Sequence, residues 1–217
     1  MTPPSLDHTY LKKLFNGLKK PRTHSTKVMG LDEAIGKHVA PGMTLHFAYS
    51  EGRPMATSNA LVRSFAGTEP GFTVISAGLV SNQAALISEK IVTKLIVSFV
   101  GENYPTPAPN KIFQKLIDKG EVEIENNSLL ALSQRLAAGA YGFPFALTKS
   151  WKGSSLAENK CFRTLPDPFG SGEEVGILSP LIPDITFVHG LAADEHGNIV
   201  LSPPFGESEI AAFAAKK

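Results

Sequence analysis

An α/β fold is what this sequence predicts: a mostly parallel, open sheet with helices on both faces. Two observations carry that prediction. Strand-like and helix-like segments alternate from Met43 onward, the arrangement that buries a parallel sheet between helix layers. The strands are also near-continuous apolar runs, such as Leu95-Ile96-Val97-Ser98-Phe99-Val100, which suit a sheet covered on both sides. A chain of 217 residues can bury a proper core, so one domain is the default.

The elements follow in order. Over Ser5 to Lys19, Leu6, Tyr10, Leu11, Leu14, Phe15 and Leu18 recur at helical spacing, with Ser5 or Asp7 as cap and Pro21 as the stop. Pro21 to Lys27 reads as a linker, so residues 1–27 form a helical extension ahead of a main domain over 28–217. Met29 to Val39 is a short helix with Leu31, Ala34 and Ile35 on one face. Then come a strand (Met43 to Ala48), a helix (Met55 to Phe65), a strand (Phe72 to Ser76) and a helix (Asn82 to Glu89). Lys94 to Val100 is a strand, Asn110 to Lys119 a helix, Val122 to Ile124 a strand and Ser128 to Ala138 a helix. A further strand begins at Phe145. Gly153 to Gly176 is rich in Pro, Gly and Ser and reads as a long excursion without regular structure, of the kind that is functional when ordered. Ile185 to His189 and Ile199 to Leu201 read as a strand pair around the turn Asp194-Glu195-His196-Gly197-Asn198.

Composition narrows the partners. Lys+Arg 21 against Asp+Glu 20 excludes nucleic-acid or membrane-surface binding driven by bulk charge. The basic residues Lys12, Lys13, Lys19, Lys20, Arg22 and Lys27 do cluster early, as an arm for an acidic partner or as a solvated helix face with its linker. The single Cys161 excludes an internal disulfide and a cysteine zinc site, and fits a reduced, cytoplasmic setting. No apolar run approaches the ~18 to 20 residues of a membrane span, and no signal-peptide pattern opens the sequence.

Several motifs dissolve on inspection. Gly170-Ser171-Gly172-Glu173-Glu174-Val175-Gly176 lacks the preceding strand and the spacing of a dinucleotide fingerprint. Neither a P-loop nor a Gly-x-Ser-x-Gly elbow occurs. The six His residues are scattered without metal-ligand spacing. His46, inside an apolar strand, reads as a satisfied core histidine, and His196 as a turn residue.

Other residues stay in play. Ser50-Glu51-Gly52-Arg53-Pro54 joins a strand to a helix: Gly52 lets the backbone approach a ligand, and amides there can face an anion or a developing oxyanion. An ordinary turn with Pro54 at the helix start explains the same residues. Ser154 and Ser155 could supply hydroxyls and amides to a phosphate or carboxylate, or simply cap a helix-like stretch. Glu102 and Glu125 each end a predicted strand with Asn103 and Asn126 beside them, and the ligand crevice of open α/β sheets lies outside the strands' carboxyl ends. For Glu125 the competing reading is a solvated strand face, since Glu121, Glu123 and Glu125 alternate.

Taken together, Val100-Gly101-Glu102-Asn103, then Arg135 with Ala138-Gly139-Ala140 and Gly142-Phe143-Pro144, then Ala193-Asp194-Glu195-His196-Gly197-Asn198 resemble the α subunit of family I coenzyme A transferases. The resemblance runs over roughly residues 29 to 215 and takes in the Gly30-Leu31-Asp32-Glu33-Ala34-Ile35 start and the segment Ala211 to Lys216. Phe143-Pro144-Phe145 through Gly153-Ser154 is closer to the glutaconate-type branch, which includes acyl-CoA hydrolases and decarboxylases.

The resemblance implies a NagB/RpiA/CoA-transferase-like sheet and, as substrate rather than cofactor, a coenzyme A thioester. It implies that the partner in a hetero-oligomer is a β subunit, with an acyl-CoA and a carboxylic acid as substrates. The candidate substrate-site and CoA-site residues are Glu51, Gly52, Arg53, Gly78, Glu102, Asn103, Asn126, Ser154 and Ser155. In that family a Glu carboxylate attacks the thioester to give an acyl anhydride and then a glutamyl-CoA thioester, which the acceptor acid resolves. That Glu stands in a Glu-Asn-Gly context on the β half. No Glu-Asn-Gly occurs in this sequence, the family's double glycine is absent from Ala48 to Pro54, and Ala77-Gly78 stands where 3-oxoacid enzymes carry paired Asn. The α half alone is therefore expected to be catalytically incomplete. An acyl-CoA hydrolase or decarboxylase with Glu125 as acid/base group is the alternative, and a non-enzymatic ligand-sensing domain is a third.

Overall fold

Alternation along each strand decides which side chains meet which helix layer. A computed structural model describes residues 26–49, 52–102 and 106–216. The stretch expected to be helical over Ser5 to Lys19 lies outside the described residues, as do Ser50, Glu51 and Asn103.

Helix α1 (Leu31–His38) carries Asp32 and Glu33 in its first turn and Lys37 and His38 in its last, each sign matching the helix dipole. Strand β1 (Thr44–Phe47) follows, then α2 (Met55–Phe65), β2 (Phe72–Ser76), α3 (Ala85–Ser88) and β3 (Val92–Val97). A 3₁₀ turn, Ser81–Gln83, precedes α3, so the helix expected over Asn82 to Glu89 is split. Helix α4 (Lys111–Asp118) starts at Asn110, whose Oδ1 accepts from the amides of Ile112 at 2.8 Å and Phe113 at 3.2 Å. Strand β4 (Glu123–Asn126) leads into α5 (Leu129–Tyr141), capped by the Ser128 hydroxyl.

The main sheet has five strands, all parallel. Reading across it, β4, β3, β2 and β1 are followed by β8 (Ile185–Phe187). Leu45, Phe47, Val74, Leu95 and Val97 point to one side, where α1 to α4 bury Ile35, Leu61, Leu86 and Phe113 against them. Ile75 and Ile96 point to the other, covered by Leu132 and Leu136 of α5 and by Ala211 and Ala214 of α6 (Ser208–Ala214). The sheet is thus covered on both faces, as its apolar strands predict.

Two expectations are corrected. The excursion over 153–176 is not irregular: β5 (Ala146–Thr148), β6 (Phe162–Pro166) and β7 (Glu174–Leu178) form an antiparallel sheet in the order β5-β7-β6. Its core of Trp151, Phe162 and Leu178 packs on Ala131 and Ala138 of α5. Second, Ile185–Phe187 does not pair with the segment after Asp194; it joins the main sheet beside β1. The hairpin around Asp194 exists, but its arms are β9 (Ala192–Ala193) and β10 (Ile199–Val200). Among the described residues no helix is long and apolar enough to cross a membrane.

Candidate active site

Because the five strands run parallel, the loops that leave their carboxyl ends gather along one edge, where open α/β sheets bind ligands. Beyond Phe47, the Ala48 amide still donates to the Phe187 carbonyl at 3.0 Å. The Tyr49 amide has no strand to pair with; it donates instead to Oε1 of Glu207 at 2.9 Å. The chain then reaches Gly52, Arg53 and Pro54, and α2 begins. A methyl group on Gly52 would sit 2.1 Å from Cδ2 of His189, so any other residue would force that imidazole aside.

Arg53 is fixed from two directions. Its Nη1 donates to the Gly78 carbonyl at 2.6 Å, and its guanidinium carbon lies 4.8 Å from the centre of the Tyr49 ring, a cation–π contact. The Ser98 hydroxyl donates to the Ala77 carbonyl, and the loops after β2 and β3 are stitched by Leu79 N–H to Phe99 O at 2.9 Å and Gly101 N–H to Leu79 O at 3.1 Å. These contacts enclose a cavity of about 210 Å³. Tyr49, Arg53, Gly78, Ser98, Phe99 and Leu129 line it together with Ala77. It offers a cation, a hydroxyl and two aromatic rings, and none of these lining residues is a carboxylate.

The predicted carboxylates are engaged elsewhere. Glu102 exchanges both backbone bonds with Ala108, and its side chain accepts from Asn110 Nδ2. It thereby orients the residue that caps α4. Glu125, near the end of β4, accepts from Arg135 Nη1 at 2.6 Å and lies 3.3 Å from Lys94 Nζ. Partial burial pushes the Glu125 carboxyl up, but the Arg135 bond and charge, with Lys94, outweigh it and hold it below the usual carboxylate range. Such a group is ionised at neutral pH and has no proton to give as a general acid. Arg135 is itself buried and completes its bonding with the Asn127 side chain at 2.9 Å and the Ser179 carbonyl at 2.9 Å. The Cys161 thiol is raised, burial being the main cause, with Arg135 opposing and Glu125 adding to it, which disfavours the thiolate.

Asn126 is exposed, and its carbonyl accepts from Asn159 Nδ2 at 3.1 Å. The buried amide is its neighbour Asn127. Ser154 and Ser155 are exposed at the start of a 3₁₀ turn, Ser155–Glu158, and the Ser154 hydroxyl donates to the Trp151 carbonyl at 2.8 Å. Their loop is tied to the end of β4 through Asn159 and to the α5 cap through Trp151 Nε1 and Ser128 Oγ at 3.1 Å. Of the residues singled out in the sequence, then, Arg53 and Gly78 share the cavity, with Gly52 beside it. Glu102, Glu125, Asn126, Ser154 and Ser155 do not line it, and Glu51 and Asn103 lie outside the described residues.

Sequence reasoning missed Tyr49, His189 and Glu207. The usable signal was positional: Tyr49 stands two residues beyond one strand end, and His189 two residues beyond another. Glu207 had no local signal. His46 is fully buried as expected, yet among the described residues neither ring nitrogen has a hydrogen-bond partner.

Comparison with known proteins places this geometry. Residues 28–217 match the family model described as Coenzyme A transferase. The chain is 34% identical over 105 residues to the A-type subunit of 3-oxoadipate CoA-transferase from Pseudomonas knackmussii, covering 46% of this chain and 37% of that protein. It is 33% identical over 132 residues to the A-type subunit of a probable succinyl-CoA:3-ketoacid coenzyme A transferase from Bacillus subtilis, covering 60% and 50%. The matches thus span half or less of those curated relatives' length. Among solved structures, glutaconate coenzyme A-transferase from Acidaminococcus fermentans superposes with a TM-score of 0.80 at 22% identity, over 88% of this chain and 65% of that one. A variant of the decarboxylase AibA/AibB superposes with a TM-score of 0.77 at 24% identity, over 87% and 71%. At those identities the likeness establishes the fold.

Proposed function

The chain belongs to the coenzyme A transferase family, and from that premise we propose that it is the α-type half of an enzyme moving CoA between an acyl-CoA and a carboxylic acid. Its partner is a β subunit that carries the nucleophilic Glu, and the coenzyme A thioester is a substrate, not a resident cofactor. One observation carries the reading. Among the described residues, the strand-end cavity presents Arg53, Ser98 and backbone groups and no carboxylate, while Glu102 and Glu125 are both bound internally.

In this reading the partner's Glu attacks the thioester carbonyl and the CoA thiolate leaves, giving an acyl-glutamyl anhydride. The thiolate then attacks the glutamyl carbonyl and releases the donor acid as its carboxylate. The acceptor acid runs the same two steps in reverse and departs as the new acyl-CoA. Splitting one transfer into covalent steps lowers each barrier. This chain supplies a wall of the site, on which Arg53 faces the carboxylates that come and go.

The test is thioester exchange by the isolated chain and by the chain purified with a partner bearing Glu-Asn-Gly. Exchange only in the complex, and only with acceptor acid present, is expected. Robust exchange by the chain alone, or loss of thioester without acceptor, contradicts it; the latter supports hydrolysis.

A further inference from the structure

The loop that carries Gly52 and Arg53 is held in place from the far end of the chain. Glu207 is buried and stands at the position that opens α6. Its side chain makes no bond to its own helix. Instead Oε1 accepts from the Tyr49 amide at 2.9 Å, across 158 residues of sequence. That amide is the first donor after β1 stops pairing with β8, and the bond it makes to the buried Glu207 side chain is itself partly shielded from water.

The neighbours of Glu207 grip the same residue. Gly206 has φ +54, and a methyl group there would lie 2.0 Å from the Tyr49 carbonyl oxygen. The backbones can approach this closely only with glycine at that position. Ser208 Oγ lies 3.5 Å from that carbonyl. Tyr49 is thus met at both its N–H and its C=O by residues 206–208. Its ring in turn carries the Arg53 guanidinium, which reaches Gly78. Below, His46 Nε2 is 3.6 Å from the same Glu207 oxygen, too far for a hydrogen bond, so it does not compete with the Tyr49 amide for it.

We propose that Glu207 is a positioning residue for the active-site edge: through Tyr49 it sets where Arg53 stands. The proposal rests on the reading of this edge as the transfer site. Its test combines two measurements on Glu207→Ala and Glu207→Gln. Amide exchange at Tyr49, followed by NMR on the full chain, accelerates at least about tenfold in the Ala variant, because the amide loses its side-chain acceptor. The Gln variant retains an acceptor oxygen and recovers most of the protection.

In the complex with the partner, kcat/KM for acyl-CoA falls at least about tenfold with Ala and is largely rescued by Gln. A merely structural role gives a different pattern. Melting temperature drops, exchange rises throughout β1 and α6, and kcat per folded enzyme is unchanged; that pattern, or wild-type exchange at Tyr49, overturns the proposal. Should Glu207→Ala not fold, Glu207→Asp keeps the charge but withdraws the oxygen by one methylene and is expected to shift both readouts the same way. A wild-type complex that moves no CoA refutes the transfer reading alone, and the exchange measurement still judges Glu207.

Discussion

Two acid-bearing pairs occupy the same face of the sheet and are built to opposite standards. Paired residues across that face run Glu125, Ile96, Ile75, His46 and Thr186. At one end Glu125 meets Arg135, and every contact is made: Asn127, Ser179 and Lys94 complete the network. Near the other end His46 meets Glu207 at 3.6 Å, and among the described residues both imidazole nitrogens lack a hydrogen-bond partner. The satisfied pair joins β4 to α5 and stays within the scaffold. The unsatisfied one leaves its carboxylate available to a loop amide at the ligand edge. A fully bonded buried network rigidifies its surroundings, whereas buried polar atoms left unpaired cost stability.

That contrast makes graded predictions. Arg135→Ala is the most damaging change, because it removes the buried guanidinium that bonds Glu125, Asn127 and Ser179 together and leaves Glu125 only the more exposed Lys94; denaturant unfolding should show a loss of about 3–5 kcal/mol. Pairing it with Glu125→Leu, so that both charges go, should recover most of that loss. At the ligand edge the effect moves from stability to rate. Arg53→Ala is expected to lower kcat/KM of the complex by about tenfold or more while changing stability by no more than about 1 kcal/mol, since it loses one charged hydrogen bond at a partly open cavity.

Acid should separate the pairs further. The folded Glu125 carboxyl titrates below the ordinary 4.5, so its contribution is present above that value and is lost as pH falls through the lower folded value. Glu125→Gln should therefore flatten the acid limb of a stability–pH curve below about 4.5, whereas a limb unchanged from wild type would remove Glu125 from the account. The smallest effect belongs to the exposed Arg63–Asp32 pair, whose side chains are 56% and 67% accessible. Asp32→Ala should change stability by about 1 kcal/mol at most, and less at high salt.

How far the sequence reaches follows the same division. The parallel strands and their crossover helices were legible because each is an apolar run or a capped amphipathic segment, as with Asn110 before α4 and Ser128 before α5. What was not legible depends on partners distant in sequence. Ile185–Phe187 joins β1 across about 140 residues, a pairing no local pattern announces. Strands β6 and β7 hide in a Pro- and Gly-rich stretch because each has one open face, and Pro166 sits at a strand end where no ladder donor is needed.

Glu125 shows the limit at the site. Alternation with Glu121 and Glu123 suggests a solvated face, but Arg135, ten residues on and about two turns into α5, turns that position inward. Arg53 could be singled out from loop position and Gly78 only through the family comparison, while Glu207 had no local signal. The sequence also could not say that Glu102 and Glu125 are bound to Asn110 and Arg135.

The central claim is that the residue breaking the thioester lies on the partner and not on this chain. Peptide mapping by mass spectrometry, after the complex is incubated with acyl-CoA and no acceptor, tests it directly. A CoA adduct on the partner's Glu-Asn-Gly glutamate, with none on this chain, is the predicted result. An adduct on Glu51, Glu102, Glu125 or any other carboxylate of this chain would contradict the account.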